Sequence, residues 1–290
     1  MQPCRRHALH KRLRLRAPAN ICEVRSPKSL GEALDVIARS PNDWRPLAGG
    51  TDVMVVFAAG KLKDHRFLDL WCLNELRGIR EEDGYFMIGA LTTHSELQQH
   101  IVLRSALPLL AAAAAEIGGV ANQNRGTIGG NIMNASPAAD LPPALLVCEA
   151  EVEFTSVRGS RWVPYSSLHI GYRQTLCAPD ELLTRVRLPR LNSHMRTYYR
   201  KVGARRAQAI SKVSLAAAVD DARQDVRIAF GSVALFPVRC YRTEETIQRG
   251  EDPARSLETE LAPITDMRST ATYRMHVARN LLAAFLKNEA

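Results

Sequence analysis

Residues Arg45–Asp52 have the sequence RPLAGGTD, and residues Asn124–Pro143 have the sequence NRGTIGGNIMNASPAADLPP. Each stretch holds a glycine pair, Gly49–Gly50 or Gly129–Gly130, where a predicted strand is followed by a predicted helix. Glycine lets backbone N–H groups approach a phosphate closely, and the positive end of the following helix favours an anion. The two stretches therefore predict two loops that hold a pyrophosphate between them.

A tight turn is the alternative interpretation of each glycine pair. Neither stretch contains the dinucleotide motif GxGxxG or the phosphate-loop motif GxxxxGK[ST]. The neighbouring Thr51, Asp52 and Asn131 supply hydrogen-bonding side chains, so an anion site and a pair of turns are comparably supported. The spacing of the two pairs does not identify a nucleotide.

The composition is typical of a globular protein. The chain has 290 residues, 46% hydrophobic and 24% charged, which predicts a buried core in one large or two ordinary domains. It contains no apolar run of ~18 residues, so no membrane span is predicted. Its six cysteines form no CxxC pair, which argues against the common iron–sulfur and zinc sites and predicts free thiols, no metal ligands and a cytoplasmic location.

Most of the net charge of +9 lies in the first twenty residues, which carry six Lys and Arg residues and no acid. We expect residues 1–24 to be a basic, disordered extension. A targeting segment and a wrongly assigned translation start are the alternatives. Because a nucleic-acid interaction would depend on this tail alone, no nucleic-acid partner is predicted.

The hydrophobic pattern changes near residue 190. Strands and helices alternate before it and end with the predicted strand ELLTRVRLP, residues 181–189. After it, three strand candidates precede two helical segments near 243–249 and 268–287. This order predicts an α+β C-terminal domain with a three-stranded sheet covered on one face.

Four stretches together resemble a known family. PLAGGTDVMV (46–55) and NRGTIGGNIMNASPAADLPPALLV (124–147) closely resemble the FAD-binding (medium) subunit of the molybdenum hydroxylases, the xanthine dehydrogenase and carbon monoxide dehydrogenase family. DELLTRVRLP (180–189) and YYRKVGARRAQAISKVSLAAAV (198–219) are similar to the end of its flavin domain and the start of its C-terminal domain. The resemblance implies an α+β protein: a two-subdomain FAD-binding fold of the vanillyl-alcohol-oxidase (PCMH) type at 25–190, then the family's small C-terminal domain at 195–290.

The resemblance also implies cofactor contacts, position by position. The first pyrophosphate loop would comprise Arg45, Pro46, Leu47, Ala48, Gly49, Gly50, Thr51 and Asp52, acting mainly through backbone N–H groups. The second would comprise Thr127, Ile128, Gly129, Gly130 and Asn131. Asp140 would lie near the ribityl chain, Leu182 near the edge of the isoalloxazine and Lys201 near the flavin ring, and Ile117 stands where some relatives place an aromatic residue. No catalytic residue is assigned.

Pattern alone offers other roles for three of these residues. Asp140 can cap the helix that follows it, and Leu182 fits the core face of a strand. Lys201, with its basic neighbours, can belong to a solvated face. The histidines show no ligand spacing and are interpreted as core or surface residues.

In function, the resemblance implies an oxidoreductase subunit that takes electrons from [2Fe–2S] clusters and passes them through FAD to an external acceptor, such as NAD or a quinone. A small [2Fe–2S] subunit and a large molybdopterin subunit are the implied partners, and hydroxylation would occur on the molybdenum subunit. Some relatives carry a [4Fe–4S] loop after the second glycine motif. Here SPAADLPP (136–143) continues without a cysteine, so we expect flavin only.

Two other classes of function remain open. A stand-alone FAD-dependent oxidase of the same fold is one, and a non-enzymatic binding module that uses the basic tail is the other. The substrate of the complex also stays open, with a purine or a related N-heterocycle favoured.

Overall fold

A parallel three-stranded sheet forms the first subdomain of the computed structural model, which describes residues 22–191, 194–220, 222 and 224–287. Its elements are β1 (Glu23–Arg25), α1 (Leu30–Arg39), β2 (Arg45–Leu47), α2 (Thr51–Ala58) and β3 (Arg66–Asp69), with strand order β1-β3-β2. Ser29 caps α1 by accepting a hydrogen bond from the N–H of Glu32 at 3.2 Å. Ala33, Leu34 and Ile37 bury the apolar face of this helix.

The second subdomain is a five-stranded antiparallel sheet with helices on one side. Its elements are β4 (Ile79–Glu82), β5 (Tyr85–Gly89), α3 (His94–Gln99), α4 (Ile101–Ala106), α5 (Pro108–Ala115), α6 (Val120–Gln123), α7 (Ile128–Met133), α8 (Leu141–Val147), β6 (Glu151–Ser156), β7 (Gly159–Pro164), β8 (His169–Gly171), β9 (Gln174–Thr175) and β10 (Leu182–Pro189). The strand order is β4-β5-β10-β6-β7, and β8 and β9 form a separate hairpin. β6 and β7 form an antiparallel hairpin, with Ser156 opposite Gly159 at its turn.

The C-terminal domain has four strands, one more than the sequence predicts. Its elements are β11 (Arg196–Val202), β12 (Val213–Val219), β13 (Val226–Gly231), β14 (Val238–Arg239), α9 (Tyr241–Gln248), α10 (Ala254–Glu260) and α11 (Ala271–Leu286), with strand order β11-β12-β13-β14. The third predicted strand is broken because Ser232 takes a left-handed φ of 64° and donates its N–H to the carbonyl of Pro137 at 2.9 Å. Helix α10 was not predicted.

Both faces of the C-terminal sheet are covered, so the prediction of one covered face was wrong. Helices α9 to α11 pack on one face, where Leu215 and Phe285 share a core cluster. Helix α8 of the second subdomain packs on the other, where Ala216 and Ala229 join the main core around Leu145. Small alanine side chains let α8 lie close to the sheet, and this contact joins the C-terminal domain to the flavin-type fold.

Three other sequence predictions concern the N-terminal extension, the cysteines and a membrane span. Residues 1–21 of the predicted basic extension lie outside the described residues. The assignment of Glu23 and Val24 to a disordered extension was wrong, because both belong to β1 and pair with β3. Cys22, Cys72, Cys148, Cys177 and Cys240 are free thiols, as their spacing predicts, and Cys4 lies in the part not described. Within the described ranges, no helix is long and apolar enough to cross a membrane.

Candidate functional site

A cleft of about 1010 Å³ lies between the first and second subdomains. Its volume is at the upper end of the roughly 300–1,000 Å³ typical of small-molecule sites. Of the predicted site residues, it is lined by Arg45, Pro46, Leu47, Ala48, Gly49, Gly50, Thr51, Asp52, Ile117, Thr127, Gly129, Gly130, Asn131 and Leu182. Ile128, Asp140 and Lys201 do not line it. Both glycine stretches therefore meet at one cleft.

The two glycine loops touch through their backbones. A Cβ atom placed on Gly49 would lie 1.6 Å from the carbonyl oxygen of Arg125 and 3.1 Å from the nitrogen of Gly126. No side chain fits in that space, because real Cβ atoms do not approach backbone atoms so closely. Gly49 is therefore required by loop-to-loop contact, whatever the cleft binds.

Gly50 is required for a different reason. It adopts a left-handed backbone, with φ 76°, immediately before α2. The first helical N–H donor of α2 is that of Met54, which bonds to the carbonyl of Gly50 at 2.9 Å, and no side chain caps the helix. The N–H groups of Thr51 and Asp52 therefore have no partner within the helix, and they lie at the cleft. Such a helix end attracts anions.

The loss of stability on substitution of Gly50 should depend on how well the new residue tolerates a left-handed φ. We expect Gly50→Val to lower the free energy of unfolding by about 1–2 kcal/mol, whereas Gly50→Asn should cost clearly less. Space is not limiting, because the nearest atoms to a Cβ here are at 3.8 and 3.9 Å. Urea denaturation of the three proteins measures the difference. Equal losses for the two variants would show that φ does not decide the outcome.

The second loop has few backbone donors to offer. The N–H of Ile128 donates to the carbonyl of Thr92, and the N–H of Gly129 donates to the carbonyl of Ala90, both at 2.9 Å. The N–H of Gly130 donates to the Thr127 hydroxyl at 3.0 Å. These N–H groups are therefore not free for a ligand, which leaves the side chains of Thr127 and Asn131 as candidate contacts at the cleft.

Asn131 is the clearest of these side chains. The N–H of Asn131 is itself used within the loop, on the carbonyl of Thr127 at 2.9 Å. Its buried carboxamide oxygen has no hydrogen-bond partner among the described residues. Rotation of the carboxamide can present either two N–H donors or an acceptor to a ligand.

The cleft carries little unpaired positive charge. Arg45 forms an ion pair with Asp64, and Arg66 pairs with Glu23 and Asp43 at 3.1 and 3.2 Å. All five side chains are substantially exposed, so these pairs are weak. An anion in the cleft would therefore be held mainly by backbone groups and the start of α2.

The apolar residues among the predicted cofactor contacts lie in two environments, the cleft and the core. Ile117 and Leu182 line the cleft, and Leu182 is also 3% exposed in the core of the first subdomain, so its core alternative holds as well. Ile128 is fully buried in the main core. It points away from the cleft because it occupies the inner face of α7.

Asp140 and Lys201 form a buried ion pair that joins the second subdomain to the C-terminal sheet. The Lys201 Nζ lies 2.7 Å from the Asp140 carboxylate and donates to the carbonyl of Glu116, also at 2.7 Å. Burial raises the pKa of Asp140 to about 6 although Lys201 opposes that shift. The Asp140 side chain does not cap α8, and the Lys201 side chain is 5% exposed. Both alternatives that the sequence left open for these residues were therefore wrong.

Sequence analysis missed two residues beside the glycine loops. His94, interpreted as a core or surface residue, is 2% exposed and lines the cleft. Arg125 stacks its guanidinium 3.7 Å from the centre of the Trp71 ring. Thr93 and Glu96 form a capping box, so TTHSEL signals a helix start at His94. Nothing local signals the stack on Trp71.

Comparison with known proteins gives the same assignment for both parts of the chain. Residues 20–191 match the family described as the FAD binding domain in molybdopterin dehydrogenase. Residues 198–288 match the CO dehydrogenase flavoprotein C-terminal domain. The chain belongs to the FAD-binding subunits of the molybdenum hydroxylases.

Individual relatives align with most of this chain and over most of their own length. The xanthine dehydrogenase FAD-binding subunit of Escherichia coli O157:H7 is 32% identical over 87% of this chain and 90% of its own length. The glyceraldehyde dehydrogenase medium chain of Sulfolobus acidocaldarius is 31% identical over 94% and 99%. The solved carbon monoxide dehydrogenase from Hydrogenophaga pseudoflava superposes with a TM-score of 0.84 at 28% identity, over 89% of this chain and 93% of that one.

The family membership settles the cofactor and the class of this subunit. FAD is its cofactor, and the subunit is an oxidoreductase component of a molybdenum hydroxylase. The predicted α+β architecture with two flavin subdomains and a C-terminal domain is confirmed. Among the described residues, no group of three or more His, Cys, Asp or Glu residues is arranged to hold a metal ion.

Proposed function

We propose that this chain is the electron-transfer subunit of a xanthine dehydrogenase-like complex, which receives electrons from [2Fe–2S] clusters and passes them to an external acceptor such as NAD or a quinone. When bound, FAD supplies the redox chemistry, and the protein supplies binding and orientation. The observation that carries the proposal is the cleft in which both glycine loops meet.

We assign the two loops different tasks in binding FAD. In the first loop, the backbone around Gly49–Gly50 and the uncapped start of α2 would hold the pyrophosphate. In the second, the N–H groups from Ile128 to Asn131 are used internally, so the Thr127 hydroxyl and the Asn131 carboxamide would do so. The Asn131 carboxamide, turned so that its N–H groups face the ligand, and the free helix end fit a polar, anionic ligand such as a dinucleotide.

The remaining predicted residues would surround the flavin end. Ile117 and Leu182 offer apolar contact along the cleft wall. Without an aromatic ring, Ile117 provides no π-stacking on the flavin. The Asp140–Lys201 pair lies behind this wall, tied to the carbonyl of Glu116 next to Ile117. We therefore assign the pair an indirect part: it fixes the segment that carries Ile117.

The assembly and location follow from the same proposal. The chain would join a small [2Fe–2S] subunit and a large molybdopterin subunit in the cytoplasm, with hydroxylation on the large subunit. Residues 25–190 would form most of the flavin domain and residues 195–290 the C-terminal domain. Residues 1–20 would be a dispensable extension, whereas Glu23 and Val24 belong to β1. Several relatives bear medium-chain names, among them the carbon monoxide dehydrogenase medium chain of Hydrogenophaga pseudoflava.

An absorbance spectrum of the purified chain tests the proposal. We expect the two visible bands of an oxidised flavin, release of FAD on denaturation, and no iron by metal analysis, because no cysteine cluster exists. Reduction of the bound flavin by a purified [2Fe–2S] partner, with no turnover of small substrates by the chain alone, would support the electron-transfer role. Stoichiometric iron in the chain or substrate turnover without partners would contradict it.

A further inference from the structure

His94 lies next to the place where the two glycine loops touch. Its backbone is fixed by the capping box of α3, in which the Thr93 hydroxyl accepts from the N–H of Glu96 and the Glu96 carboxylate accepts from the N–H of Thr93 at 2.6 Å. The N–H of His94 donates to the carbonyl of Gly126 at 3.1 Å. The His94 side chain is 2% exposed, yet it lines the cleft.

The imidazole packs directly against the second loop. A Cβ on Gly126 would lie 3.0 Å from Cδ2 and 3.1 Å from Nε2 of His94. The nitrogen of Gly126 lies in turn 3.1 Å from a Cβ placed on Gly49. Gly126 therefore has the ring of His94 on one side and lies close to Gly49, so the ring supports the second loop near its contact with the first.

One nitrogen of this ring, the buried Nδ1, makes no hydrogen bond in the part of the chain that the structure describes. Burial lowers the pKa of His94 to about 4, so the ring is neutral at physiological pH. A leucine of similar size would fill the space without an unpartnered nitrogen, so histidine here costs stability in the ligand-free protein.

We propose that His94 is a cofactor-positioning residue, whose imidazole supports Gly126 and whose ring turns to give its unpartnered nitrogen to the dinucleotide when the dinucleotide is bound. The inference rests on the proposed function of the cleft as the FAD site. On this proposal, the buried ring of His94 lowers the stability of the FAD-free protein and adds to the stability of the FAD-bound protein. Polar groups at other functional sites behave in the same way.

Two measurements on His94→Leu test the proposal. The stability of the FAD-free protein should not fall, whereas the affinity for FAD should. In the FAD-free protein, its melting temperature should equal or exceed that of the wild type, because the unpartnered nitrogen is gone. Its Kd for FAD, measured by quenching of flavin fluorescence, should rise at least tenfold. His94→Asn returns a polar atom near the position of Nδ1 and should restore the Kd to within threefold of wild type.

His169→Leu is the matched control, since His169 is a partly buried histidine whose Nδ1 also has no hydrogen-bond partner among the described residues, but it does not line the cleft. Its Kd for FAD should stay within twofold of wild type. A His94→Leu protein that binds FAD normally, or that fails to fold without FAD, would overturn the positioning role. Failure of the wild type to bind FAD would instead contradict the proposed site as a whole.

Discussion

Gly49→Ala is expected to disrupt the cleft more than any other single methyl group added to the glycine loops. The new Cβ would lie 1.6 Å from the carbonyl oxygen and 2.4 Å from the carbonyl carbon of Arg125, so the two loops must separate. We expect a loss of stability at the upper end of the about 1–3 kcal/mol seen on overpacking. We also expect FAD binding to weaken about tenfold or more, equivalent to about 1.4 kcal/mol.

Flavin content after purification and denaturant titration of the FAD-free protein measure these two effects. Gly31→Ala is the matched control, because the nearest atom to a Cβ there is 3.9 Å away and the site is within α1. That variant should be neutral or more stable, by up to about 1 kcal/mol. Full flavin content and unchanged stability in Gly49→Ala would show that the two loops do not touch in solution.

Lys201→Met is expected to destabilise the FAD-free protein by about 3–5 kcal/mol at pH 8, because it leaves the buried carboxylate of Asp140 without its cation. The loss should be smaller at pH 5. Without Lys201 the pKa of Asp140 rises further, so the carboxyl takes up a proton and becomes neutral. Denaturant titrations at the two pH values measure the difference.

Two further variants sharpen this test. Lys201→Met combined with Asp140→Asn should recover most of the loss at pH 8, since no unpaired charge remains. Lys61→Met, at an exposed lysine of the first subdomain, should change stability by less than about 0.5 kcal/mol. If Lys201→Met lowered stability equally at pH 5 and pH 8, protonation of Asp140 would not be the cause.

The wild type should itself show a pH dependence from Asp140. Its folded pKa of about 6 lies above the ordinary aspartate value of 3.8, and Lys201 and Glu116 are the charged groups that act on it. The folded state therefore keeps a proton that the unfolded chain loses, so this contribution to stability falls as pH rises between about 3.8 and 6. The slope should be absent in Asp140→Asn.

Much of the local structure could be predicted from the sequence. The helix cap at Ser29, the turn between β6 and β7 and the helix starts after the glycine pairs depend on residues a few positions apart. Propensity, capping and periodicity act over the same short range. The resemblance to the FAD-binding subunits added what spacing does not contain, namely the cofactor and the family.

The rest was decided by tertiary contacts between residues far apart in the sequence, which no local sequence pattern indicates. Nothing near Gly49 indicates that its neighbour is the carbonyl of Arg125, and Asp140 meets Lys201 across 61 positions of sequence. The break before β14 and the burial of the sheet under α8 likewise depend on partners far along the chain. A sequence pattern predicts which side chains will be buried, but only the packed structure decides which atoms share the space, and here that packing brings His94 beneath the two loops.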